Sequence, residues 1–456
     1  MDNNKNIADL KEKRIGPLLA KLAIPATIGM LSNSLYSIVD TIFIGRGVGT
    51  LAIAGVGIVF PIHMIIMAIA QLIGLGSASV ISRSLGKKDY ERAGKAAGNS
   101  FLAVILLGVI ATVVTFSFID PILRLFGATE NILPFARDYL FVIAFGFMIF
   151  PFLVSSNSII RAEGAAKTSM FIMILATGSN IILDPIFIFV FKLGIRGAAI
   201  ATVISQFAGF IFVLVYYLRG KSVLSIRMHH LKPDFSVLKE MFNLGLPSFI
   251  RMVSSSFLII IINNLLNFYS GDLGIAIYSV VNRIVMFISM PFFGVGAGVQ
   301  PIIGFNYGAR NNNRVKEVLK ISITIATIVG AVFFILIMVF PDSILAIFSK
   351  DTELIKNGVF PLRMVLLFFP IIGFQVIGAT FFQSIGKAIP SIFLSMSKQA
   401  IFLIPLILIL PIFMDAAGIW IAFPIADFMT IMITALFLKK EINTINKLEQ
   451  AVENAA

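Results

Sequence analysis

The chain is written twice, at an offset of 222 residues. Pro25 in LAIPATIGM is answered by Pro247 in LGLPSFIRM, and Gly74 and Gly76 in IGLGSA by Gly296 and Gly298 in FGVGAG. Gly86, Arg92 and Gly164 are answered by Gly308, Arg314 and Gly386. Both copies are apolar throughout. A duplicated membrane chain has two pseudo-equivalent halves, the plan on which rocking transporters are built. The informative positions are those where the halves have ceased to match.

Of the 456 residues, 58% are hydrophobic and only 13% charged, against about 25% charged in ordinary soluble domains. Apolar stretches of bilayer-crossing length recur along the whole chain. They run continuously, as in FLAVILLGVIATVVTFSFI, without the alternation of a membrane strand. The expected fold is all-α and integral to the membrane. The net charge of +13 sits in short loops, so nucleic acid is not expected as a partner. Cysteine is absent, which excludes disulfides and thiolate metal sites. The first 16 residues are polar and basic and run into a long apolar stretch, a pattern unlike a cleavable signal peptide.

Twelve spans are read at 17–41, 51–80, 96–119, 133–155, 168–191, 197–218, 240–268, 275–305, 318–341, 358–383, 389–412 and 418–438. Twenty-six of the 36 Lys and Arg fall on the side of the two termini, counting Lys398 as reaching there. That bias places both termini in the cytoplasm and the protein in the cell membrane. Six spans per copy make the repeat parallel. The expected domains are a first lobe at 1–220, a cytoplasmic linker at 221–239, and a second lobe with a short tail at 240–456. Prolines are dense within the spans; Pro25 and Pro247 at matching places, and Pro185, are candidate hinges.

An ionisable group at membrane depth costs roughly 3 kcal/mol on insertion scales and needs a reason. Asp40 lies in NSLYSIVDTIFIG of span one, and Asp184 in GSNIILDPIFIF of span five. Asn180 precedes Asp184 by one turn on the same helix face. Thr202 enters from the outside on span six. At about 1.5 Å per residue, all four reach similar depth in the outer part of the first lobe. Their counterparts in the second copy are Ile262, Phe402, Leu406 and, at an offset of 221, Phe423. Two acids in a poorly hydrated pocket cannot both stay charged without taking up a proton or a cation. Asn and Thr oxygens add neutral ligands for a hard cation such as Na⁺. Helix-end and pre-proline structural roles are the plainer alternatives for these acids.

Other polar groups are candidates for a substrate cleft. Arg283 and Asp427 either pair with each other or meet substrate. Asn282, Gln300, Asn263 and Asn264 either line a cavity or bridge helices. His63 is a candidate proton relay, though a lone helical histidine is more often packed. Arg251, opposite Gly29, suits a snorkelling cation. The 44 Phe and 18 Met suit an adaptable chamber as well as ordinary helix packing. GLGSAS and GVGAGV read as helix-packing stretches rather than phosphate loops, and no nucleophile motif is seen, so an enzyme is not expected.

Taken together, SLYSIVDTIFIG, ISRSLGKKDYERA, GSNIILDPIFIF, GIRGAAIATVISQ and GVQPIIGFNYGAR resemble the multidrug and toxic compound extrusion (MATE) transporters over roughly residues 15 to 440. The resemblance implies two six-helix lobes arranged as a V around a central cleft. It implies export of lipophilic cationic drugs in exchange for H⁺ or Na⁺, with no cofactor and a monomeric protein. In the prokaryotic branch with a first-lobe cation site, the family's acidic and polar positions fall on Asp40, Asn180, Asp184 and Thr202. The span-seven acid of another branch is missing here, where Asn263 and Asn264 stand. A flippase of lipid-linked oligosaccharide is the alternative that related folds suggest; it would want buried basic residues, and only Arg251 and Arg283 qualify.

Overall fold

The computed structural model describes residues 2–453, and nearly all of them are helical. Among the described residues nine helices are long and apolar enough to cross a bilayer. One of them, Phe235–Gly308, is double: Gly271 interrupts it at φ 60°, ψ −155°, a conformation open to glycine because it carries no Cβ. Two bent pairs, Leu133–Gly146 with Phe150–Ala162 and Thr352–Val365 with Phe369–Ser384, each turn by 46° and cross as single spans. With the double helix counted as two, these make the twelve spans of the sequence reading.

The repeat is visible in packing as well as in letters. A Cβ on Gly108 would sit 2.5 Å from the carbonyl oxygen of Phe147, and one on its counterpart Gly330 would sit 2.8 Å from that of Phe369. Asp89 caps the third span through the Arg92 N–H at 2.9 Å, and Asn311, 222 residues on, caps the ninth through the Arg314 N–H at 3.3 Å. Such a cap satisfies an amide that the helix itself cannot. Gly164 and Gly386 end matching helices at φ 81° and 86°. At the first of these ends the Ala165 N–H reaches back to the Ile160 carbonyl at 3.1 Å, closing the helix with a left-handed glycine.

The chain divides into two compact units: Met1–Lys13 with Ile24–Gly245, and Arg14–Ala23 with Leu246–Ala456. The first unit thus keeps the opening turns of span seven, where a Cβ on Gly76 would lie 1.9 Å from the Met241 carbonyl oxygen and one on Gly245 would lie 1.7 Å from that of Leu72. The stretches read as small-residue packing faces are therefore points of backbone-to-backbone contact. In the second unit Gly298 meets Ala23 in the same way, 2.9 Å from its nitrogen. The polar amino terminus forms the helix Asp2–Glu12. Its Leu10 is fully buried, and its Leu10 and Asn6 side chains lie against the Gly164 turn.

The stretch after span six lies on the first unit. Asn99 donates to the carbonyls of His230 and Lys232, both at 3.2 Å, and accepts from the Asp234 N–H at 2.8 Å. The His230 ring rests on Gly94, and Arg83 and Arg92 both bind Glu240.

Candidate functional site

Asp40 sits in the helix Ile15–Gly47, Asn180 and Asp184 in Ala166–Pro185, and Thr202 in Gly194–Leu218. All four are buried, at 6%, 2%, 0% and 8% exposure. The structure brings them together: Asn180 is bonded to Thr202, and Asp40 and Asp184 lie close enough to act on each other electrostatically. Asp184 is placed by its neighbour. Pro185 has no N–H to continue the α-helical ladder, and the chain passes into a π-helical turn over Ile186–Val190. Wide turns of this kind often mark functional positions.

The hydrogen bonds decide what the pocket can take. The Asn180 amide nitrogen donates to Thr202 Oγ1 at 3.2 Å, and that hydroxyl donates to the Ala198 carbonyl at 3.1 Å. Both of these bonds go to oxygens other than those of the acids. Asp40 Oδ1, both carboxylate oxygens of Asp184 and Asn180 Oδ1 are buried and receive no hydrogen bond among the described residues. Buried acceptors are normally satisfied. Four acceptors that receive no hydrogen bond, two acids among them, have the chemistry to accept a proton or a hard monovalent cation.

Two tyrosines that sequence reasoning passed over stand beside this group. The Tyr36 hydroxyl lies 3.5 Å from Thr202 Oγ1, and Tyr139, from the fourth span, is 7% exposed beside Thr202 and Asp40. Tyr36 was findable, since it precedes Asp40 by one helical turn. Tyr139 was not, because only the tertiary fold brings span four to this pocket.

The remaining candidates are dispersed. Asp427 does not pair with Arg283. Its Oδ1 meets Lys398 Nζ at 2.6 Å, while Arg283 and Asn282 are exposed. Lys398 therefore turns inward to an acid, where loop counting sent it to the cytoplasmic side. His63 is packed against Phe150, ring centroids 4.4 Å apart and the planes tilted by 40°. Gln300 is buried in the second unit at 5% exposure. Arg251 lies over the Phe293 ring at 5.2 Å, a cation–π contact. The Asn264 amide donates to the Ile260 carbonyl of its own helix. Pro25 and Pro247 lie inside continuous helices and Pro185 at a helix end.

Two further clusters lie outside the spans. Glu163 is fully buried after the helix Phe150–Ala162; one carboxylate oxygen accepts from the Ser222 hydroxyl at 2.7 Å and the Val223 N–H at 2.8 Å. Burial pushes its pKa up to about 7 against those bonds. Glu91 gathers His229 and His230 at 3.0 and 3.1 Å. Three such groups are a possible metal set by type. However, the Arg227 N–H donates to His230 Nδ1 at 3.1 Å, which leaves the proton on Nε2, facing Glu91. An imidazole held that way offers no lone pair to a metal. The cluster is a hydrogen-bonded latch on the linker.

Comparison with known proteins finds the MatE family twice in this chain, at residues 25–186 and again at 247–409. The chain is 30% identical over 400 residues, 87% of each protein, to the multidrug export protein MepA of Staphylococcus aureus (strain MSSA476). A crystal structure of a MATE protein in the bent conformation is 28% identical and superposes with a TM-score of 0.92 over 97% of this chain and 99% of that one. A MOP superfamily transporter from Pyrococcus furiosus superposes at 0.90 with the same identity and coverage.

Proposed function

Because this chain belongs to the MatE family of multi-pass membrane transporters, we propose that it is an antiporter that exports lipophilic organic cations in exchange for H⁺ or Na⁺. The observation that carries the coupling is the set of four donor-free buried oxygens on Asp40, Asn180 and Asp184. The export of several drugs is supported by the likeness to MepA, a multidrug export protein. We assign Asp40 and Asp184 as the groups that take up the coupling cation, with Asn180 as a neutral ligand oriented by Thr202. Both termini are assigned to the cytoplasm, in a cell membrane of bacterial type, from the distribution of Lys and Arg.

The mechanism follows from charge. With the pocket free of cation, two acids face each other with little water and no donors. Uptake of one cation from outside removes that repulsion and lets spans one, five and six draw together, with Pro25 and Pro185 as the bending points. A drug that favours the opposite arrangement is then released, since coupling requires only that ion and drug prefer different conformers. One H⁺ or Na⁺ exchanged for one monovalent drug cation moves no net charge, so the driving force is the concentration gradient of the coupling ion, about 1.4 kcal/mol for each tenfold ratio.

The test is ethidium efflux from energised vesicles. Asp40→Asn and Asp184→Asn should each abolish it while the protein still inserts. Unchanged efflux in either variant removes that residue from the coupling role.

A further inference from the structure

The second unit carries its own intramembrane charge, and it is closed by a lysine. Asp427 is 2% exposed and Lys398 27%, joined at 2.6 Å. Lys398 stands in the π-helical turn Ser397–Leu403, about ten residues into a span that begins at Ala388. At about 1.5 Å per residue that is mid-membrane depth, beyond the reach of a snorkelling stem. An ion pair there carries a large desolvation cost, so stability alone is a weak reason for it.

The repeat shows where this pair stands. Lys398 corresponds to Ala176, one turn before Asn180. Gly197 and Gly418 fix the offset in spans six and twelve at 221, each being pressed against the backbone of the preceding span. Asp427 then corresponds to Gln206, one turn after Thr202. Spans five and eleven run outward and spans six and twelve inward. The second unit's polar pair thus sits on the equivalent two helices as Asn180, Asp184 and Thr202, one turn nearer the cytoplasm. Each unit has a π-helical turn in this span, at Ile186–Val190 and Ser397–Leu403.

We propose that Asp427 is a second intramembrane cation site, occupied by the built-in ammonium of Lys398 in place of a free monovalent cation. Among the described residues the acids of the first unit have no positive partner, so their cation, H⁺ or Na⁺, comes from solution. In the second the cation is tethered, so the carboxylate is neutralised in every conformer and takes no part in ion exchange. Among the described residues Lys398 is the charged group joined to Asp427; the helix Phe235–Gly308, which meets Pro411–Glu453 through Tyr278 and Trp420, carries Arg251, Asp272 and Arg283 without an ion pair to it. Of the elements packed against Pro411–Glu453, the helices Phe369–Ser384, Ala388–Met396 and Ile404–Ile409 carry no ionisable side chain. Those on Thr352–Val365 (Glu353, Lys356, Arg363) and on Asn312–Val339 (Arg314, Lys316, Glu317, Lys320) lie toward the span ends, as do Asp415, Lys439, Lys440, Glu441 and Lys447 of the same helix. The remaining Asp427 oxygen is buried and receives no hydrogen bond among the described residues.

Removing the ammonium should turn this into an open cation site. The test is thermal unfolding of the purified full-length protein in sodium against choline chloride, and at acidic against alkaline pH. The two arms separate Na⁺ from H⁺. Lys398→Gln should gain a stabilisation of about 5 °C on adding one of these cations, beyond the response of the unaltered protein. Lys398→Gln/Asp427→Asn should lose that gain. A response of Lys398→Gln no greater than that of the double variant overturns the proposal. So does a Lys398→Gln protein that cannot be purified in either cation while the double variant can. Failure of both variants under every condition also counts against it, since neutral groups of similar volume replace a buried ion pair at little cost. The assay does not depend on transport. Asp184→Asn run beside these variants reports on the first-unit site alone, so the two results stand or fall separately.

Discussion

Asp184 is set apart by what its side chain lacks. Both its oxygens are buried and receive no hydrogen bond among the described residues. The pocket was legible in the sequence because the repeat supplies a control: four polar residues in one copy face Ile262, Phe402, Leu406 and Phe423 in the other. Tyr36→Phe removes a hydroxyl 3.5 Å from Thr202, a long contact. It should leave ethidium efflux within about threefold of normal, the effect of a net 0.5 kcal/mol; total loss would place the phenol among the coupling groups. Glu163 was not legible, since nothing in RAEGAAK marks an acid for burial. Its pKa rises from 4.5 to about 7 on folding. The unfolded chain therefore gives up the proton first, and stability falls as pH rises from about 4.5 to 7 by an amount approaching roughly 3 kcal/mol. Glu163→Gln keeps an acceptor for Ser222 and Val223 and cannot ionise. It should melt higher than the unaltered protein at alkaline pH and equally at acidic pH; a constant difference across pH would remove Glu163 from this role.

Among helices, proximity is set by glycine. Gly108 and Gly330 carry the same contact in the two copies, each against the carbonyl where a bent span turns by 46°. Gly108→Leu should be strongly destabilising, by more than about 3 kcal/mol, because backbone has no rotamer by which to yield. Mutating the exposed and unobstructed Gly57 to leucine is the control, and equal melting of both variants would contradict the packing account. The spans themselves were legible from length and hydropathy. Two things were not. Lys398 was counted with the cytoplasmic charges as reaching out from the span at 389–412, and only the fold shows Asp427 waiting for it. The reading also gave residues 14–23 to the first lobe, whereas they group with the second half of the chain. Sequence separation misleads where a helix is long enough to serve two units.

For the whole molecule, the proposed mechanism makes equivalent halves unlike in one respect: one unit would exchange its cation with solution while the other carries its own. An antiporter of this kind obeys reciprocity, since a cation that weakens drug binding must itself be weakened by drug. The direct measurement is cation release on drug binding. Ethidium is added to purified protein in weakly buffered solution with a pH indicator, and in parallel to protein equilibrated with radioactive sodium. The unaltered protein should release about one H⁺ or one Na⁺ per ethidium bound, and Asp40→Asn and Asp184→Asn should bind ethidium and release neither. Undiminished release from those variants would show that the coupling cation sits elsewhere.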